Sequence, residues 1–260
     1  MIDWGNNTAL IGHTGFVGSN LMQQGQFTAC FNSRNITDIA GQSFDTIVCA
    51  GVQAVKWKAN KEPEADWRGI EGLLAPLSTV NAQRFILIST IDVYANPDGE
   101  TEDVPPPAEN HAYGRHRAKV EDFVRERFAN HHIIRLPGLF GAGLKKNVIF
   151  DLLHDNGLDV IQPLSSFQYY LLKHLTEDLH KVVNQQIRLL NLATEPVQTR
   201  AIIEAYASDK MVGTKAGPPA RYDFRSKHAA LWGGHNGYLY DGGTVLCEIG
   251  EYMRGEQSHS

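Results

Sequence analysis

Cysteine is scarce in this chain. There are three in 260 residues, Cys30, Cys49 and Cys247, far apart and odd in number. That excludes a disulfide-stapled secreted scaffold and reads as free thiols in a reducing compartment, with Cys30 and Cys49 buried in apolar runs. Long hydrophobic runs are also missing. Nothing approaches the ~20 apolar residues of a membrane-spanning helix, and the N-terminus lacks a charged-then-apolar leader pattern. A cytoplasmic protein with no membrane partner is expected. Positive charge is not in excess either: 24 Lys and Arg stand against 29 Asp and Glu, a net charge of -5. No electrostatic case exists for nucleic acid as a partner. No cluster has metal-ligand spacing. His116 and the His131–His132 pair read as surface or loop histidines, and no metal is expected.

What is present is an ordinary globular core, 42% hydrophobic, in a chain long enough for one large domain or one domain and a lobe. Short apolar runs alternate with helical patterns. Thr8–Ile11, Phe27–Phe31, Thr46–Ala50, Phe85–Ser89, His132–Leu136 and Arg188–Leu192 read as buried strands. Phe16–Gln24, Glu62–Val80, Ala112–Phe128, Val148–Leu153, Leu175–Val183 and Thr199–Ala207 read as helices. Pro97–Pro107, with four prolines and several acids, reads as a surface loop. The alternation predicts an α/β fold with a doubly wound parallel sheet. The expected division is a nucleotide-binding domain of residues 1–143 and 173–200. Residues 144–172 and 201–260 would form a small substrate lobe. The Gly255–Ser260 tail is expected to be disordered.

Gly12-His13-Thr14-Gly15-Phe16-Val17-Gly18 joins the first strand to the first helix. Glycines there let the backbone turn sharply and approach a pyrophosphate, while the helix N-terminus supplies donors and positive potential. The spacing is G-x-x-G-x-x-G. The second strand ends beside the adenosine ribose in such folds. It offers Asn32, Ser33 and Arg34 and no acid, which favours NADP over NAD. Asp38 could accept from the adenine amino group.

Tyr113 and Arg117 share one helix face. A cation beside a phenol favours the phenolate, which would make Tyr113 a usable base near neutral pH. Arginine supplies charge in a forked geometry but does not relay protons.

The glycine turn, Thr90 in Ile88-Ser89-Thr90-Ile91-Asp92-Val93-Tyr94, and the Tyr113 pair together resemble the extended short-chain dehydrogenase/reductase superfamily, over roughly Thr8 to Asn191. The turn itself resembles that of NADP-dependent GDP-fucose synthases. The resemblance implies a Rossmann-type fold and NAD(P)-dependent epimerase or reductase chemistry on a nucleotide-activated sugar. By it, Tyr113 is the acid/base, Thr90 hydrogen-bonds the substrate oxygen, and Arg117 stands where the family has lysine and would hold the cofactor ribose. Ala50, Gly51 and Pro137 would lie along the cofactor. Asp92, Asn147 and Gln168 would face substrate. A homodimer through the Ala112–Phe128 helix is the family's habit. There are departures: Asp66 replaces a frequent asparagine, and Ile91 replaces the first acid of the dehydratase Asp-Glu pair. A second reading is a cofactor-binding protein without turnover, a sensor or assembly partner marked by the Lys-to-Arg exchange.

Overall fold

A computed structural model of the chain describes residues 5–95 and 98–258. Four fully buried residues form β1 (Thr8–Ile11). The chain turns at Gly12 into α1 (Phe16–Gln24) and returns as β2 (Ala29–Phe31). A crossover leads to β3 (Ser43–Cys49), then to α2 (Lys56–Lys61), α3 (Pro63–Leu77) and β4 (Asn81–Thr90). The long α4 (Ala112–Arg127) leads to β5 (His131–Leu136). After β6 (Gly138–Phe140), α5 (Val148–His154), β7 (Ser166–Phe167) and β8 (Tyr169–Leu171) come α6 (Leu175–Asn184) and β9 (Leu189–Asn191). The chain continues through β10 (Val197–Gln198), α7 (Thr199–Tyr206) and α8 (Gly242–Gln257).

Six strands form one parallel sheet in the order β2-β1-β3-β4-β5-β9. This is the expected doubly wound α/β fold. Strand order reverses between β1 and β3, so the crevice at their carboxyl ends is where ligands bind in such sheets. Ile70, Leu73 and Leu77 of α3 and Val120 and Val124 of α4 join Ile11, Ile47, Phe85 and Ile133 of the strands in one apolar cluster. Phe85 stacks on Phe128 with ring centroids 4.2 Å apart.

The chain divides into two compact units. One holds Met1–Ala95, Val104–Arg135 and Lys173–Leu190; the other holds Asn96–Asp103, Leu136–Leu172 and Asn191–Ser260. The second unit carries two small two-stranded sheets, β7 with β10 and β6 with β8. Its α7 and α8 approach closely at Gly250, where a Cβ would lie 2.3 Å from the Tyr206 ring. Within it, buried Glu102 accepts hydrogen bonds from the Asn191 and Lys227 amides and the Ser226 hydroxyl. A stretch that reads as surface loop is therefore pinned by its carboxylate.

Two expectations are corrected. The tail is not disordered as far as it is described, because α8 runs through Gly255 to Gln257. Nor are the histidines superficial: His116 and His132 are both buried, and His132 Nδ1 lies 2.7 Å from the Ile187 carbonyl.

Candidate active site

The glycine turn fits a dinucleotide phosphate. Gly12 has φ of +86°, and a Cβ on it would lie 2.4 Å from the Ala50 carbonyl oxygen. A Cβ on Gly18 would lie 2.1 Å from the Gly12 carbonyl. Both positions are closed to any side chain, while Thr14 and Gly15 at the crest are exposed. Phe16 and Val17 are half-buried behind them. No side chain caps the α1 N-terminus and no acid sits in its first turn. The α1 N-terminus and its dipole are therefore open to an anion, with no capping side chain or first-turn acid in competition. The Gly12 amide and the His13 ring both bond the Phe31 carbonyl, which ties the turn to the end of β2.

Beyond β2, Asn32 and Asn35 exchange side-chain-to-backbone bonds that shape the loop. Ser33 and Arg34 are exposed there. Asp38 is exposed in the 3-10 turn Ile36–Ile39. Ala50 and Gly51 follow β3, and the Ala50 amide donates to Ile11 at 2.9 Å, so the two loops abut across the switch point.

Thr90 ends β4. Its hydroxyl oxygen accepts from the Asp92 amide at 3.2 Å, and its side chain lies near enough to the Tyr113 phenol to draw the phenol's pKa down. With the oxygen accepting from an amide, the hydroxyl proton is left for Tyr113. Asp92 is ion-paired with Lys56 at 2.7 Å. Tyr113 sits in the first turn of α4, and that turn is held by side chains of two elements. The His111 ring accepts from the Gly114 amide at 3.0 Å, and Asn60 of α2 accepts from the Tyr113 amide at 2.9 Å. Orphan helix-start donors are thereby satisfied.

Arg117 lies one turn on, its guanidinium carbon 3.9 Å from the centre of the Tyr113 ring. Its two terminal nitrogens grip both oxygens of Asp66 at 2.6 and 2.9 Å, and one of them also donates to the Gln53 carbonyl. Asp66 holds His116 as well, at 2.7 Å. Burial pushes the Asp66 carboxyl up, but hydrogen bonds and charge from Arg117 and His116 bring it below the usual 3.8. Of the three guanidinium nitrogens of Arg117, Nε is buried without a partner among the described residues.

This corrects the expected phenolate. Tyr113 is 6% exposed, and burial raises its phenol above the ordinary 10. Arg117, Thr90 and Lys56 pull downward and Asp92 pushes up, yet burial prevails. The physical reason is desolvation: enclosing the phenol penalises its charged form more than the neighbouring arginine favours it.

Pro137, Asn147 and Gln168 belong to the second unit. Pro137 is half-buried between β5 and β6. Asn147, at φ of +116°, caps α5: it accepts from the Phe150 amide and donates to the Leu139 carbonyl. Gln168 is 2% exposed and clamps the backbone, donating to Thr194 and Phe224 carbonyls and accepting from the Phe224 amide. Both side chains are engaged in building the unit.

Sequence reasoning missed Lys56, Asn60, Gly114 and the function of Asp66. It also missed a buried ion pair behind Thr90. Arg135 and Glu121 are both fully buried and joined at 2.6 and 2.9 Å, with Ser89 donating to Glu121 and Arg135 donating to the Tyr94 hydroxyl. The i, i+4, i+8 series Tyr113-Arg117-Glu121 was the available signal, a polar stripe on the face α4 buries.

A parallel sheet with a glycine turn at its switch point and a threonine–tyrosine pair beside it defines a nucleotide-dependent α/β protein of the dehydrogenase type. Residues 9–158 match the NAD dependent epimerase/dehydratase family, more than half of the sequence, and the chain belongs to that family. No curated protein matches the sequence. Among solved structures it is similar to a dTDP-4-dehydrorhamnose reductase from Clostridium acetobutylicum, with 15% identity over 96% of this chain and 99% of that one and a TM-score of 0.73. It is similar to MoeE5 in complex with UDP-glucuronic acid and NAD, at 12% identity, 98% and 100% coverage and a TM-score of 0.74. A UDP-glucose 4-epimerase from Thermotoga maritima gives 15% identity, 97% and 99% coverage and a TM-score of 0.70. At these identities the likeness shows the fold. Among the described residues, no helix is long and apolar enough to cross a membrane.

Proposed function

We propose that this protein is an NAD(P)-dependent oxidoreductase or epimerase acting on a nucleotide-activated sugar, with Tyr113 as acid/base and NADP preferred. The observation that carries this reading is the closeness of Thr90 to the Tyr113 phenol in the unit that also holds the uncapped glycine turn. The three solved relatives, a dehydrorhamnose reductase, a UDP-glucuronic acid complex and a UDP-glucose epimerase, support the substrate class.

The nicotinamide supplies or takes a hydride at the sugar carbon. The chain's own residues do the rest. Gly12, Gly15 and Gly18 admit the pyrophosphate, and Ala50 and Gly51 line the cofactor. Thr90 orients the phenol, and Tyr113 holds or moves the proton at the sugar oxygen. Arg34 is exposed and its guanidinium has no partner among the described residues, which leaves it open to a ribose 2′-phosphate. Arg34→Ala is therefore expected to lower the NADPH-over-NADH preference, read by tryptophan-fluorescence titration. An unchanged preference would remove the coenzyme argument. A homodimer through α4 and a cytoplasmic location belong to the same proposal, and sedimentation tests the first.

The second reading, a cofactor-binding protein without turnover, is favoured by one observation. The Arg117 terminal nitrogens, which would have to grip a cofactor ribose, are engaged by Asp66 and Gln53. NADPH binding with no turnover across a broad nucleotide-sugar panel would establish it in place of the first.

A further inference from the structure

Two positions where the chain departs from its family, Asp66 and Arg117, meet each other in space. Asp66 comes from α3 and Arg117 from α4, fifty-one positions apart, and they form a bidentate pair at 2.6 and 2.9 Å. Their side chains are 8% and 4% exposed. The guanidinium carbon lies 3.9 Å from the centre of the Tyr113 ring, and the group is held there by Asp66 and the Gln53 carbonyl. A bidentate carboxylate fixes a planar fork in orientation as well as distance. Its negative charge also opposes the field that a lone cation would exert on the phenol.

We infer that Asp66 is a positioning residue: it holds Arg117 against Tyr113 as a charge-balanced pair, so that Tyr113 serves as the proton donor to a keto-sugar nucleotide. This rests on the function proposed above and selects its reductive arm. In the step, the carbonyl carbon gains a hydride from a reduced nicotinamide dinucleotide, the class of reductant required. The carbonyl oxygen gains the Tyr113 proton. The C=O π bond is replaced by a C–H and an O–H bond, and the phenolate left on Tyr113 is reprotonated from water. A neutral phenol is the form this step needs, and burial in a charge-balanced setting keeps it neutral. An epimerase must also remove a proton, which a site built this way resists.

The groups around the phenol set the titration. Arg117 comes from α4 and His111 from the cap before it, Thr90 and Asp92 from the end of β4 and the turn after it, and Lys56 from α2. Asp66 itself faces Arg117 and His116. Lys56 and Asp92 pair with each other, so the pair whose balance a single neutral substitution upsets beneath the ring is Asp66–Arg117.

The test is an alkaline difference titration of tyrosinate absorbance, each protein measured against its own Tyr113→Phe counterpart. It needs neither cofactor nor substrate. Asp66→Asn should lower the Tyr113 midpoint by about one pH unit. Asp66→Glu should leave it in place. Arg117→Met should raise it, and the double variant Asp66→Asn/Arg117→Met should return it close to the parent value. A folded Asp66→Asn protein with an unmoved midpoint would overturn the inference. Should Asp66→Asn fail to fold, an Arg117→Met midpoint equal to the parent's would overturn it as well. With a keto-sugar nucleotide, the reductive rate should be flat through neutral pH and fall only on the alkaline side. A reductive rate that climbs into the alkaline range would contradict the proton-donor role. If the titration behaves as described but no sugar nucleotide is turned over, the proposed function fails and the Asp66 pairing stands.

Discussion

Tyr113 and Thr90 could be found from sequence because their chemistry is carried by residue type at short spacing within one strand and one helix start. Asp66 could not be assigned, because its partner lies fifty-one positions away and only the packing of α3 on α4 joins them. Asn147 and Gln168 carry structural duties that residue type alone does not reveal. A polar side chain reads as a ligand contact, yet both serve buried backbone groups that would otherwise lack partners. Glu121 belongs to the same lesson. Its carboxylate is fully buried between Arg135, Ser89 and the half-exposed Arg125. Glu121→Ala would leave Arg135 charged and enclosed, and removing one partner of a buried pair costs about 3–5 kcal/mol. A urea-unfolding midpoint measures this. A loss under about 1 kcal/mol would mean that the pair is weakly coupled to folding.

At the scale of elements, β1 and α1 were readable to the residue because fully apolar strands end in glycine and the helix begins at the turn they dictate. The short α2 was not. Lys56-Trp57-Lys58-Ala59-Asn60-Lys61 has no apolar period, and Ala59 alone is buried. What ties α2 to its neighbours includes Asn60 holding the Tyr113 amide and Lys56 holding Asp92, contacts that arise only in the folded unit. β4 begins at Asn81, four residues before its apolar run, because those polar residues pair with β3 and with the loop before it. α4 carries an unread requirement at Gly114. A Cβ there would lie 2.2 Å from the Asp92 carbonyl and 2.3 Å from the Asn110 amide nitrogen. Alanine in a helix gains about 1 kcal/mol over glycine, but overpacking of this kind costs about 1–3 kcal/mol. Gly114→Ala should therefore lower the melting temperature and, by moving the first turn of α4, reduce turnover more than NADPH binding. A variant as stable and active as its parent would show that the helix docks with room to spare.

Across the whole molecule, the parallel sheet and its switch point were legible because buried strands and glycine turns leave a mark in the sequence. The second unit was less so, since its irregular backbone is organised by Glu102 and Gln168, single side chains with several partners. Burial leaves a signature on stability at high pH. Cys49 is raised to about 11 from 9.0, and Tyr252 to about 12 from 10.0, each first by burial. Tyr113, Tyr169 and Tyr238 are raised too, again first by burial. A group whose folded pKa lies above its unfolded one contributes stability below the unfolded value and loses it as pH rises through the folded one. The urea midpoint should hold through neutral pH and fall steadily above about pH 9. A flat midpoint to pH ~11 would mean that these groups ionise alike in both states.

The central claim, that Tyr113 performs proton transfer in NAD(P)-dependent chemistry on a nucleotide sugar, is most directly tested by following nicotinamide absorbance with a nucleotide-sugar panel for the parent and for Tyr113→Phe. The account predicts turnover by the parent and a loss of about a hundredfold or more in the variant, with NADPH binding retained. Full activity in Tyr113→Phe, or no turnover by an NADPH-bound parent on any member of the panel, would contradict it.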